Sequence, residues 1–471
     1  MLDTTRGRLS TTAVRLAWPA VLQALLINGY AFNDFVFVGM LGDREATAAL
    51  SACFGLTLLV QTLVGIFPVG AMPLMAYRFG AGQLARVGQV FREAFVVSLG
   101  WALGVGLMGL LALPVAIRAL NVTEGVGHHV AAYMSVLLAA LMSFALMRLV
   151  TAAFYACGDT RTPLLLEIVS LGINTALNAA LVPGFFGMPA LGVTGAAIAT
   201  VISRALPGIV GLALIARGKL AFDLSGEGGW RPELPRVRKM AVIGTFESMA
   251  GLLYAGVYML LNRMAGLLGP EAQGGLGAGL RGIEWIAFAF GDGFLAANVA
   301  IVGQNLGAGQ PERAWRGAWL GGIMSAASCQ LIATSFIIAP HQLCALVTDD
   351  PRTLEYAAQY IATIGWVMWA VGLEMALLGA LIGAGATRPV FWISGVGNLA
   401  RVPIAAVGLF GVHAAASGTL WTLTGLGDAP TVTGAFDVLA STIAITAVFK
   451  ALLYIALLAR GLPAGDGEAM D

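Results

Sequence analysis

Asp34 stands inside an apolar stretch that runs from about residue 14 to residue 41. In a bilayer an acid at such a place is expensive and by default marks a functional site. On helical spacing Gln23, Ile27, Tyr30 and Asp34 lie on one face, a narrow polar stripe that can look into a cavity instead of lipid. A carboxylate withdrawn from water favours its neutral form, so its hold on a proton changes as its surroundings open and close. That is the property a proton-coupled carrier needs. The competing structural reading is an aspartate that caps a kink or pairs with a buried arginine. Pro19, one turn before Gln23, lacks the N–H of a helical bond and so permits a bend, for which a fixed kink is one reading.

Asn174 and Asn178 lie at i and i+4 of one expected helix, so their amides leave one face, towards a site or as glue between helices. Thr200 in the next span is a weaker member of the same group. In the second half the acids are Glu247, Glu284, Asp292 and Glu374. Glu284 follows Arg281 by about a turn near a span end, and a local ion pair or a snorkelling surface residue is the favoured reading of it. Glu374 precedes the Gly383–Ala384–Gly385 turn and is an even candidate for a cavity wall; Asp292 and Glu247 are weaker ones. Several acids converging would supply the many oxygens that Na⁺ requires.

Other residues receive plainer readings. Arg148, Arg204 and Arg401 are expected to satisfy carbonyls or acids within their own half. His128, His129, His341 and His413 fall in or beside loops without metal-ligand spacing, and Cys53, Cys157, Cys329 and Cys344 are scattered singly, so neither a metal site nor a disulfide framework is expected. The Gly-Ala-Gly turns are followed by no Lys-Ser/Thr, as a nucleotide motor would require. With no His-rich cluster, paired-acid motif or nucleophile elbow, no enzyme is expected, and no cofactor beyond a transported H⁺ or Na⁺.

The elements that must position these residues are set by composition. Charged residues make up 11% of the 471 and apolar ones 58%, against roughly 25% charged in a soluble domain. Lipid is the surround that explains the deficit. A net charge of +1 without a basic run argues against nucleic acid as a partner. Cutting at polar, Gly- and Pro-bearing breaks gives twelve segments long enough to cross a bilayer: 14–41, 50–77, 89–118, 129–156, 163–184, 190–216, 240–266, 280–305, 314–340, 353–384, 389–411 and 436–461. The first is too long for a cleaved signal and is expected to remain as a span. The expected division is a first lobe over 1–217, a linker over 218–239 and a second lobe over 240–471. Lys and Arg concentrate in alternate loops, which puts both termini in the cytoplasm of a plasma (inner) membrane protein.

The halves repeat at an offset of 227: Gly80-Ala-Gly-Gln83 with Arg86 returns as Gly307-Ala-Gly-Gln310 with Arg313. Gly158, Thr160 and Arg161 return as Gly385, Thr387 and Arg388, and Gly42 and Tyr133 as Gly269 and Tyr360. Because the offset spans six crossings, the copies share one topology, as parallel repeats about an axis along the membrane normal. The position matching Asp34 is Leu261, so the repeat does not demand the acid. An all-α integral membrane fold of two pseudo-symmetric six-helix lobes follows, with a pathway between them.

Three stretches carry a family resemblance: Ile301-Val-Gly-Gln-Asn-Leu-Gly-Ala-Gly-Gln-Pro-Glu-Arg-Ala314; Gly158-Asp-Thr-Arg-Thr-Pro163 with Leu191-Gly-Val-Thr-Gly-Ala-Ala-Ile-Ala-Thr200; and Pro19 with Asn33-Asp34-Phe-Val-Phe-Val-Gly-Met-Leu-Gly42. Together, in order along nearly the whole chain, they resemble the multidrug and toxic compound extrusion (MATE) family. The resemblance implies a V-shaped antiporter of twelve helices, working as a monomer, that expels small cationic or amphipathic compounds using an H⁺ or Na⁺ gradient. It also implies that Asp34 binds the coupling ion, that Pro19 allows helix bending, and that Asn174 and Asn178 neighbour the acid. Relatives carry Asp or Asn at the position of Asn178, where this chain cannot titrate. The alternative reading is a lipid-linked saccharide flippase on a related fold, which calls for more spans and a strongly basic cavity.

Overall fold

The computed structural model describes residues 3–222, 224, 229–416 and 432–463, and no strand occurs among them. The first half contains α1 (Leu9–Gly39), α2 (Arg44–Gly80), α3 (Leu84–Leu120), α4 (Glu124–Ala139), α5 (Leu141–Ala156), α6 (Arg161–Leu181) and α7 (Gly192–Ala216). The second begins with α8 (Leu234–Leu267) and α9 (Pro270–Gly277), which runs through a π-helical turn, Ala278–Glu284, into α10 (Trp285–Gly307). It continues with α11 (Pro311–Ile338), α12 (Pro340–Cys344), α13 (Pro351–Gly365) and α14 (Met368–Gly383). Then come α15 (Thr387–Val390), a second π-helical turn at Phe391–Val396, α16 (Gly397–Leu399), α17 (Arg401–Ala416) and α18 (Val432–Ala459). Among the described residues ten stretches are long and apolar enough to cross a bilayer, and the bent pairs α4–α5 and α13–α14, each read as one span, bring the number to twelve. The protein is an integral, multi-pass membrane protein of two lobes.

One expected boundary and two expected spans change. Helix α8 starts at Leu234, inside the expected linker 218–239, because Pro235 occupies the first turn, where its missing N–H costs no hydrogen bond. The expected unbroken spans 129–156 and 353–384 are bent by 53° and 62°. At the second break Gln330 of α11 is inserted into the backbone ladder, its amide donating to the Gly365 carbonyl at 2.8 Å and its oxygen accepting from the Trp369 N–H at 3.0 Å. The break residues Ala140 (φ −113°, ψ 21°) and Val367 (φ −119°, ψ 7°) are themselves 227 apart. Pro19 sits buried inside α1, which continues across it as one helix.

The repeat is visible in the backbone. Gly82 and Gly309 close equivalent turns at φ 71° and 70°, and Gly158 and Gly385 at 74° and 72°, a left-handed conformation that favours glycine. It is visible also where the lobes meet, α1 against α10 and α2 against α8 and α10. A Cβ on Gly80 would lie 1.9 Å from the Gln304 carbonyl oxygen, and one on Gly307 would lie 1.9 Å from that of Tyr77. Both partners are related by 227, so this is one contact read twice about a two-fold axis.

The same end of the molecule is tied by polar contacts. Arg236 of α8 forks onto Glu93 of α3 at 2.6 and 2.9 Å. Thr4 donates to Gln304 Oε1 at 2.7 Å, Gln304 donates to the Ala156 carbonyl at 2.7 Å, and Arg313 donates to the Gly7 carbonyl at 2.8 Å. The repeated Gly-Ala-Gly-Gln turns therefore belong to the closure of the two lobes at the end that carries the N-terminal segment. Towards the other end, Arg281 crosses from the second half onto the Phe54 ring at 4.3 Å.

Candidate functional site

Helix α1 delivers Asp34 into a pocket made by α4, α6 and α7. The carboxylate, 4% exposed, accepts from Asn178 Nδ2 at 2.7 Å, Tyr133 OH at 3.1 Å and Thr200 Oγ1 at 3.2 Å. Asn174 donates to Thr200 at 3.2 Å and accepts from Asn33 at 2.7 Å. Among the described residues no arginine, lysine or histidine pairs with Asp34. The cage thus surrounds one acid with three neutral donors, while the Oδ1 atom of Asn178 is buried without a partner. The structure brings Asp34, Asn174, Asn178 and Thr200 together; Tyr133 and Asn33 complete the group.

The rest of the α1 stripe serves a second cluster. Gln23 accepts from Tyr155 OH at 2.5 Å and donates to Glu167 at 3.4 Å. Glu167, 1% exposed, pairs with Arg204 at 2.6 Å, and the Arg204 guanidinium lies 3.8 Å from the centre of the Tyr30 ring. Ile27 is 45% exposed although its stripe neighbours Gln23 and Tyr30 are buried. Sequence reasoning missed Glu167. The signal was available, because Glu167, Ser170, Asn174 and Asn178 all fall on the buried face of α6 at spacings of three and four.

In the second half Glu284 is not a snorkelling surface residue and does not pair with Arg281. It is 1% exposed and accepts from Tyr360 OH at 2.6 Å, while Arg281 points away onto Phe54. The π-helical turn before α10 re-aims the side chains at that point, a common use of such turns. Glu374 accepts from Lys450 at 2.9 Å and from Ser394, in the other π-helical turn, at 2.8 Å. Lys450 also donates to Asn398 at 2.9 Å. Lys450 too was missed, although it is the one lysine of the chain that falls within an expected span; the others are Lys219 and Lys239. Arg401 meets hydroxyls instead of carbonyls or acids, Thr446 at 2.8 Å and Tyr258 at 3.1 Å.

Two chambers of about 370 and 260 Å³ share Asp292 and Leu295 in their walls, the larger lying between the lobes and the smaller within the second one. The larger takes Arg148, Glu167 and Arg204 from the first half, and the smaller takes Glu247, Glu284, Glu374, Arg401 and Lys450 from the second. The charges lining the two chambers are therefore of both signs. The size is that of a small-molecule site, and most of its remaining wall is apolar or aromatic.

A family model described as MatE matches residues 19–180 and 248–407, one match in each half. The probable multidrug resistance protein NorM of Thermotoga maritima is 26% identical over 406 residues, covering 84% of this chain and 84% of that protein. The multidrug resistance protein NorM of Burkholderia vietnamiensis is 28% identical over 404 residues, covering 81% and 83%. Among solved structures, a MOP superfamily transporter from Pyrococcus furiosus matches with a TM-score of 0.85 over 96% of each chain at 17% identity, a likeness of fold.

Proposed function

This chain belongs to the MatE family, and on that premise we propose that it is a secondary active antiporter. It exports small cationic or amphipathic compounds through the inter-lobe cleft in exchange for H⁺, with Na⁺ as the alternative coupling ion. The observation that carries this reading is the Asp34 cage. An ionised Asp34 has three donors and no counter-cation; a protonated Asp34 needs an acceptor, and rotation of the Asn178 amide by half a turn would offer it Oδ1. One set of side chains therefore accommodates both protonation states. A hard cation would instead require the three donors to turn their hydrogens away and further oxygens to arrive, which favours H⁺ at this position.

Export would proceed by rocking of the lobes. The contacts about Gly80 and Gly307 hold one end shut, and opening that end while the other closes gives alternating access. We place both termini on the cytoplasmic side and read the functional unit as a monomer, since one chain supplies both walls of the cleft. The multidrug resistance names of the relatives favour varied small exports. The flippase alternative wants a strongly basic cavity, whereas Arg204 and Lys450 are each engaged by a glutamate.

The test is uptake of a fluorescent cation by inverted vesicles carrying the protein, under an imposed pH gradient and separately under a Na⁺ gradient. Uphill uptake driven by the pH gradient is expected. No uptake under either gradient would overturn the reading.

A further inference from the structure

Arg148 occupies a place that the antiport reading does not use. It projects from the middle of α5 into the larger chamber, where its side chain is exposed to the cleft. Neither Arg148 nor Asp292, which faces the same chamber from the opposite lobe, has a hydrogen-bond or ion-pair partner among the described residues. The other charges of that chamber, Glu167 and Arg204, are bound to each other. Room for the guanidinium is provided by Gly65 of α2, where a Cβ would lie 2.5 Å from Arg148 Nη1. A guanidinium so placed presents a rigid fork of donors suited to a carboxylate or phosphate.

We infer that the cleft is a two-pole site for zwitterionic amphipathic compounds, with Arg148 holding the anionic group, Asp292 the cationic group, and the apolar wall the body between them. The inference rests on the export reading and narrows its substrate class. Greasy contact supplies little discrimination between compounds of similar size. An unpartnered charge on each wall discriminates strongly, because a ligand that lacks the matching group leaves that charge desolvated and unpaired. Zwitterionic lipid headgroups share this chemistry with soluble zwitterions.

A matched pair of dyes tests it: rhodamine B, which bears a free carboxylate beside its cationic ring system, and its ethyl ester, which bears the cation alone. Binding to the purified protein in phosphatidylglycerol nanodiscs would be measured by fluorescence polarisation. Arg148→Gln is expected to weaken rhodamine B about tenfold or more and to change the ester by less than about twofold. Gly65→Ala, which displaces the guanidinium without removing its charge, should act in the same direction, and Arg148→Lys should recover part of the loss. Equal weakening of both dyes by Arg148→Gln would overturn the inference and leave Arg148 a structural residue of the cleft wall. Displacement of rhodamine B by short-chain phosphatidylethanolamine would assign the site to headgroups, and lack of it to soluble compounds. If the ester is exported but rhodamine B is not preferred, the inference falls while the export reading stands. If rhodamine B is preferred in binding and neither dye is exported, the export reading falls; failure of both dyes to bind contradicts the inference.

Discussion

Tyr133 and Tyr360, 227 residues apart, each donate a hydrogen bond to a buried carboxylate, at 3.1 Å to Asp34 and at 2.6 Å to Glu284, yet the two acids are not equivalent. The counterpart of Asp34 is the fully buried Leu261. The counterpart of Glu284 is Thr57, whose hydroxyl rests on the Met134 sulfur at 3.7 Å. The duplicated frame fixes a hydroxyl in both halves and takes the acid from α1 in one and from the turn before α10 in the other. Equivalent scaffolding thus carries two different sites, and only the one at Asp34 surrounds its acid with three donors.

This asymmetry predicts different outcomes for equivalent changes. Tyr133→Phe should lower pH-gradient-driven export several-fold and alter its pH profile, because one of three donors to Asp34 is lost. Tyr360→Phe should cost about 1 kcal/mol of stability, the worth of a typical hydrogen bond, and leave the shape of the pH profile as it was. Vesicle uptake over a pH series compares the two.

The Glu374–Lys450 pair predicts a stability pattern. Glu374→Gln or Lys450→Met alone leaves one buried charge uncompensated, a loss of roughly 3–5 kcal/mol, whereas the double change to Leu and Met should recover much of it. The four cysteines are buried and free, so a thiol-reactive dye reads unfolding directly. Equal melting temperatures for the single and double variants would show that the pair is not coupled.

The paired glycine contacts predict that Gly80→Ala and Gly307→Ala separate the lobes at the closed end, since each new Cβ meets a backbone carbonyl that cannot move alone. Spin labels at Ala85 and Glu312, exposed and related by the repeat, should report a longer distance in either variant. An unchanged distance distribution would contradict the closure assigned to these glycines.

Much of this was legible in the sequence because hydropathy and a fixed offset are strong signals: the twelve crossings, the parallel repeat and the singularity of Asp34 all follow from them. Glu167 and Lys450 were legible too, one by its face on α6 and the other as a lysine within a span. The bend at Ala140 was not, since neither proline nor glycine marks it, and the bend at Val367 depends on Gln330 arriving from another helix. Nor could sequence show that Glu284 is buried and that Arg148 has no hydrogen-bond or ion-pair partner among the described residues. A π-helical turn rotates the first away from Arg281, and the second depends on which walls the lobes leave apart.

In the proposed function Asp34 couples ion flow to export. The direct test is uptake of the fluorescent cation by inverted vesicles under an imposed pH gradient, comparing the parent with Asp34→Asn. Folding is checked by the thiol-dye melt, and binding of the same cation to the purified proteins is measured in parallel. The account predicts that Asp34→Asn melts near the parent, binds the cation, and no longer accumulates it against its gradient. Uphill accumulation by folded Asp34→Asn at the parental rate would contradict it.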